Sequence, residues 1–146
     1  MEIIREGLSK NRPGFGEILL HVDRQTLAKC RWRGVANDGR EFGFDLAEPL
    51  SDGTAFFETE EHRYLIAQTP EPVLELRIVD CGLRKGAEIA WKIGNLHCLI
   101  GFRGEILVVA DDPALRQLFA REHIAFTPAT QVFNPLRGAH SHGYEH

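Results

Sequence analysis

The side chains with most chemical potential in this sequence are its histidines and cysteines, and they are unevenly placed. His97 stands alone in AWKIGNLHCLIGF, residues 90–102, where a helix-like run gives way to an apolar one. His140, His142 and His146 crowd into the last seven residues at spacing i, i+2, i+6. Imidazole ligates nickel, copper, zinc and iron, and a short His-bearing tract is a metal-binding composition. One imidazole holds no ion tightly, so His97 by itself is an incomplete ligand set. Symmetry supplies a remedy: on a two-fold axis His97 meets its own copy, and two ring nitrogens converge without a second motif. Tail histidines then complete the shell from outside. Two fixed ligands and several mobile ones capture an ion and release it, which suits a carrier better than a catalyst or a structural zinc. The competing readings are plain ones: a half-buried His97 ring capping a helix end, and a solvated tail.

Catalysis needs a nucleophile, a base within reach and a group to orient that base. Cys98 follows His97 directly, but neighbours on a strand point to opposite faces, which argues against a dyad. There is no G-x-S-x-G, P-loop, Rossmann fingerprint or H-E-x-x-H, so no enzyme activity is expected. The three cysteines, Cys30, Cys81 and Cys98, are an odd number without C-x-x-C. That pattern speaks against a disulfide framework or a four-cysteine zinc site and for a reduced, cytoplasmic protein. His21, His62 and His123 are read as structural or solvated. The basic stripe Lys29, Arg31, Arg33 reads as a solvated strand face, because 17 basic against 21 acidic residues leave a net charge of -4. That balance is a poor footprint for nucleic acid. No apolar run reaches the roughly 18 residues of a membrane span, and MEIIREGLSKNRPG is too polar for a signal peptide.

The elements that must position these residues fall into two rhythms. Residues 1–70 read as an all-β domain. In KCRWR, Cys30 and Trp32 alternate with basic residues; in EFGFDL, Phe42, Phe44 and Leu46 share a face; Asn37-Asp38-Gly39 between them is a hairpin signal. LSDGT at 50–54 is a second turn, and RYLIA a further strand. TPEP at 69–72 marks a joint whose prolines stop the ladder. Residues 71–133 then run β-α-β-β-α-β, the order of a ferredoxin-like unit. VLELRIV is its first strand. Leu83, Ala87, Ala90 and Ile93 lie at helical spacing, and Gly94-Asn95 closes that helix as its cap. HCLIGF and EILVVA are strands about an Arg103-Gly104 turn, the first of them an open edge strand beginning at His97. Asp112 caps a helix with Pro113 at its first position and Leu115, Leu118 and Phe119 as its stripe. IAFTPATQVF, broken by Pro128, is the last strand. Residues 134–146 read as a mobile His-bearing tail. The fold class is α+β.

Several segments together resemble one family. They are DRQTLAKCRWRGVANDGREFGFDLAEPLSDGT and PEPVLELR, then IGNLH, DDPALRQLF, and VFNP ahead of a His-bearing tail. In their order and spacing they are similar to the UreE family, the urease accessory nickel chaperones. The resemblance implies a β-rich N-terminal domain for partner proteins and a ferredoxin-like domain that dimerises and binds metal. It implies a homodimer in which the histidine of the G-N-x-H segment, matching His97, meets its copy around nickel, with zinc or copper as possible substitutes. Its tail histidines, for which His140, His142 and His146 are the candidates, add ligands. The implied task is nickel delivery to the urease apoprotein, with the GTPase UreG taking part. Leu96 stands where family members often have Arg, and the hairpin strand lacks the extra histidines of some members. The alternative is a protein-interaction module of a metalloenzyme assembly complex, with metal incidental.

Overall fold

The computed structural model describes residues 1–8 and 16–137, so His140, His142 and His146 lie outside the described residues. The chain divides into two compact units, Met1–Thr69 and Pro70–His146. The first contains β1 (Glu2–Ile4), β2 (Gly16–Val22), α1 (Arg24–Leu27), β3 (Arg31–Val35), β4 (Glu41–Asp45), β5 (Ala55–Glu58) and β6 (His62–Gln68). They form two three-stranded sheets, β1-β4-β3 and β2-β6-β5. The alternation read in β3 and β4 turns Trp32, Phe42, Phe44 and Leu46 inward, and all four are buried. Gly39 closes the hairpin between them at φ 91°. Its N–H donates to the Ala36 carbonyl at 2.9 Å, and the Ala36 N–H donates to the Arg40 carbonyl at 2.9 Å. That is a three-residue loop whose left-handed position suits glycine. Phe42 is the hub of the core, edge-on to Phe56 at 5.0 Å, Phe57 at 5.3 Å and Tyr64 at 5.2 Å between centroids.

The all-β expectation for this half needs one correction, the helical turn α1. Asp23 caps it, its carboxylate accepting from the Thr26 N–H at 3.1 Å. Four residues are too few to display a 3.6-residue period, so the capping aspartate was its sole sequence signal. His62, read as structural or solvated, opens strand β6 and is half-buried.

One side-chain bond ties this unit to pH. The Tyr64 hydroxyl donates to Asp38 at 2.5 Å, and the Arg40 N–H donates to the same carboxylate at 3.0 Å. Tyr64 first, then the Arg40 backbone, holds the Asp38 carboxyl below the usual carboxylate range. A depressed folded pKa means stability that is present above the unfolded value, about 3.9, and lost as pH falls through the folded one. Tyr64→Phe should therefore lower the urea midpoint at pH 6 and remove part of its decline below about pH 4. An unchanged acid limb in the variant would exclude this bond as its source.

The second unit contains β7 (Glu71–Leu76), a 3-10 turn (Ile78–Cys81), α2 (Leu83–Asn95), β8 (Ile100–Arg103), β9 (Ile106–Ala110), α3 (Pro113–Arg121) and β10 (Thr127–Gln131). The sheet order is β10-β7-β9-β8, with every neighbouring pair antiparallel. Leu74, Leu76, Leu107 and Val109 face the helices, meeting Ile89 and Ile93 of α2 and Leu115, Leu118 and Phe119 of α3. Val73 and Val108, on the other face, pack against Phe133. Asp112 accepts from the Ala114 N–H at 2.7 Å, and Pro113 opens α3. Pro128 lies in β10, at an edge of the sheet where a missing donor is tolerated.

Several expectations are corrected in this unit. The TPEP prolines do not keep the ladder away: β7 starts at Glu71, with Pro72 opposite Thr130. The Pro72 carbonyl accepts from Asp111 on the β9 side, where strand pairing begins only at Val73, so the missing N–H falls outside the ladder. β7 also stops at Leu76, and Ile78–Cys81 turns instead of continuing VLELRIV as strand. On α2 the buried residues are Gly86, Ile89 and Ile93, while Leu83 is 92% exposed. The cause is Gly86: a Cβ there would meet the Ile78 carbonyl oxygen at 3.3 Å, so the helix turns this bare spot inward. Finally, β8 is not an open edge and the chain does not leave the fold at 134. Gly101 bridges to Pro135, and the Leu136 N–H donates to the Ile100 carbonyl at 2.7 Å.

Candidate metal centre

The sequence placed a cap at Gly94-Asn95 and a strand start at His97. Both are corrected: α2 runs through Asn95, and β8 begins at Ile100. His97 instead occupies the left-handed residue just past the helix, with φ 60°. Its N–H donates to the Gly94 carbonyl at 2.9 Å, and the Cys98 N–H reaches back to the Ile93 carbonyl at 3.4 Å. These two bonds make a Schellman motif, which satisfies carbonyls the helix would otherwise leave unpaired. Cys98 completes it by packing against the core cluster that contains Ile93. Glycine is the usual occupant of the left-handed position, because any Cβ there is crowded. Histidine is among the residues that tolerate it, but at an energetic disadvantage.

The consequence is a fixed and accessible imidazole. The backbone of His97 is pinned on both sides by the cap bonds, while the residue itself is exposed. Its ring has no hydrogen-bond or ion-pair partner among the described residues, so the reading of a half-buried histidine spent on a carbonyl is not what the geometry offers. Exposed apolar side chains lie close by in the chain: Trp91, Leu96, Leu99 and Phe102. Sequence reasoning missed these. Only Trp91 had a signal, a second stripe on α2 of Leu83-Ala87-Trp91 at i, i+4, i+8, all three exposed.

Among the described residues no group of three or more His, Cys, Asp or Glu side chains is placed to hold a metal ion. Within these residues of one chain, His97 stands as a single ligand. Of the expected partners, His140, His142 and His146 lie outside the described residues. The shallow cleft beside the cap, lined by Lys92, Asn95, Leu96, Leu118, Arg121 and Glu122, does not supply the missing donors. Its carboxylate, Glu122, is engaged by Lys92, which also reaches Glu88 at 3.2 Å. Lys92 accordingly holds the Glu122 carboxyl below its usual range, and the pair braces α3 against the last turns of α2.

None of the remaining described candidates is brought into a group of ligands. Burial, with Asp112 adding to it, pushes the Cys98 thiol up, the opposite of the activation a nucleophile needs. Its Sγ lies 3.7 Å from the Leu96 carbonyl, turned into the cap. His123 repeats the His97 arrangement at the end of α3, with φ 55°. The ring of His62 lies against the Gly16 backbone, and His21 Nε2 is 3.4 Å from the Asn37 amide nitrogen.

Comparison with known proteins places this arrangement. Residues 71–146 match the family described as UreE urease accessory protein, C-terminal domain. Over nearly the whole chain, the urease accessory protein UreE of Mesorhizobium japonicum is 29% identical, covering 99% of this chain and 73% of its own. That of Paracoccus denitrificans is 30% identical over 92% of this chain and 84% of its own. That of a Bacillus species is 27% identical over 91% of each. The family match spans the sheet, both helices and the His97 cap, and the relatives extend the likeness through the first unit: the chain belongs to the UreE family of urease accessory proteins.

Proposed function

We propose that this chain is a nickel metallochaperone, working as a cytoplasmic homodimer that carries nickel to the urease apoprotein with UreG as a partner. One observation carries the reading: His97 is an exposed, backbone-pinned imidazole that a single chain's described residues leave without co-ligands. Two chains related by a two-fold axis bring two such rings to one ion. The exposed Trp91, Leu96, Leu99 and Phe102, all within six residues of His97 in the chain, support the dimer, since exposed apolar side chains are a common mark of an interface. The names of the relatives support urease as the destination. The ferredoxin-like reading of the second unit, as the domain that dimerises and binds metal over residues 71–133, is supported by its strand order and alternating helices.

The chemistry favours a carrier. Imidazole accepts nickel, with zinc or copper as substitutes and copper generally the tightest, so loading with nickel follows supply and partners rather than ligand type. A pair of fixed rings with His140, His142 and His146 as additional ligands binds an ion without enclosing it. Removing residues 138–146 should weaken nickel binding about tenfold or change its stoichiometry, while leaving the thermal midpoint of the metal-free protein within a degree or two. Isothermal titration of the full chain should give one tight nickel per two chains. One ion per chain, with no change in sedimentation, would overturn the dimeric site.

A second reading is favoured by the first unit, where Ile3, Val35, Arg31 and Arg33 lie exposed on the β1-β4-β3 sheet. On this reading the first unit, residues 1–70, docks partner proteins and metal is incidental. Partner affinity that is the same with and without nickel would favour it.

A further inference from the structure

β10 and β8 are the two margins of the second unit's sheet, and residues 132–136 carry the chain from the first of them to the second. On the way Phe133, 2% exposed, packs against Val73 of β7 and Val108 of β9, on the face opposite the helices. Beyond it Pro135 bridges to Gly101, and the Leu136 N–H donates to the Ile100 carbonyl at 2.7 Å. Gly101 leaves room for this passage. A Cβ there would lie 2.7 Å from the Asn134 carbonyl oxygen and 3.2 Å from the Phe133 ring. Glycine inside a strand often marks a site where another backbone comes this close.

Backbone direction shows what this strap does. Polar backbone groups alternate sides along an extended chain. Leu136 donates towards β8, so the nitrogen of Pro135 faces away from it, and a proline stands where the new margin would offer a donor. The opposite margin is closed in the same way. The Pro72 carbonyl faces β9, where it accepts from the Asp111 N–H, so Thr130, paired with Pro72 from the other side, turns its polar groups outward. Pro128, two residues earlier in β10, does the same. Proline at an edge is one means by which a sheet resists pairing with another chain. Without the strap, β8 would offer the backbone groups of Ile100 and Phe102 unpaired, beside the exposed Leu99 and Phe102 side chains.

We infer that residues 133–136 are a guard strap: Phe133 plugs it into the sheet, and Pro135 and Leu136 hold the β8 edge shut against β8 of a second copy. Two freed β8 edges pair antiparallel about a two-fold axis, because each is complementary to its own copy. This association uses neither His97 nor a metal, so it stands apart from the nickel reading.

The test uses the metal-free full chain with Phe133→Ala, which removes the plug, and Gly101→Ala, which sets a methyl against the Asn134 carbonyl and leaves the plug in place. Amide hydrogen exchange and sedimentation over a range of concentrations are the readouts. In both variants exchange at Phe102 and Leu136 should quicken at least tenfold while Val109 in β9 stays protected, and species larger than the parental one should grow with concentration. Adding Phe102→Pro, which takes away the freed donor on β8, should return each variant to the mass of the Phe102→Pro single variant. Faster exchange with no change in mass would overturn the guard. Larger species that persist with Phe102→Pro would also overturn it, since the contact would then lie elsewhere. Unchanged exchange in Gly101→Ala would mean that the strap is not seated on β8. Loss of Val109 protection in both variants would make these residues part of the core rather than a strap laid across it.

Discussion

His97→Gly is expected to make the metal-free protein more stable by about 1 kcal/mol and, at the same time, to abolish its tight nickel binding. The two effects have opposite signs because they come from different atoms. The left-handed φ of 60° crowds the Cβ of His97, and glycine relieves that crowding while keeping both cap bonds, which are made by the backbone. The ring is what the ion would lose. The substitution is present in both chains and so removes both fixed ligands, which should weaken binding by more than about a hundredfold, beyond the range seen when an outer partner of a ligand is removed. His97→Ala gives the control: the same loss of nickel, without the gain in stability, because the Cβ remains. A merely structural histidine predicts another pattern, with nickel untouched in both variants. Chemical denaturation and calorimetric titration of the three proteins distinguish the accounts.

Phe42→Ala has the largest expected effect on folding, about 3–5 kcal/mol of the first unit's stability. Phe42 is fully buried, and three aromatic rings meet it edge-on at 5.0 to 5.3 Å. Alanine deletes the shared partner of all three, leaving a cavity that flat rings on a strand framework collapse into poorly. The nickel site proposed at His97 belongs to the other unit, so titration below the variant's unfolding transition should return the parental stoichiometry. A fall in nickel binding at temperatures where the variant is native would contradict the assignment of the site to the second unit alone.

The regular parts of the fold were legible because their signals are local and repeated. Phe42-Phe44-Leu46 alternate along β4, Asn37-Asp38-Gly39 needs a left-handed turn, and Asp112-Pro113 starts a helix in the manner the chain adopts. The misreadings share a cause, which is that a single residue type was allowed to speak for a backbone conformation. Gly94-Asn95 has the composition of a helix end, yet the left-handed residue is His97, two positions later. That choice is decided by where Cys98 can reach the core beside Ile93, a tertiary fact. The face of α2 was misassigned in part. Of Leu83, Ala87, Ala90 and Ile93, the last is buried and Ala90 packs against the same core, whereas Leu83 and Ala87 are exposed; Gly86, in close approach to Ile78, and Ile89 are buried in their place. The prolines of TPEP misled because their effect depends on which side of the strand the missing N–H faces.

The candidate site was legible as a residue and hidden as a geometry. His97 could be singled out by type and by its neighbours in the chain, but its exposure and pinned backbone came from the cap. The apolar side chains around it, Trp91, Leu96, Leu99 and Phe102, carry no chemical signature and become informative only once they are seen to be exposed.

The central claim is that two His97 rings, one from each of two chains, hold a single nickel ion. A crystal structure of the nickel-loaded full chain tests it most directly. The account predicts one ion on a two-fold axis with both His97 imidazoles as ligands. An ion bound within one chain, or a pair of His97 rings lying apart in the loaded protein, would contradict it.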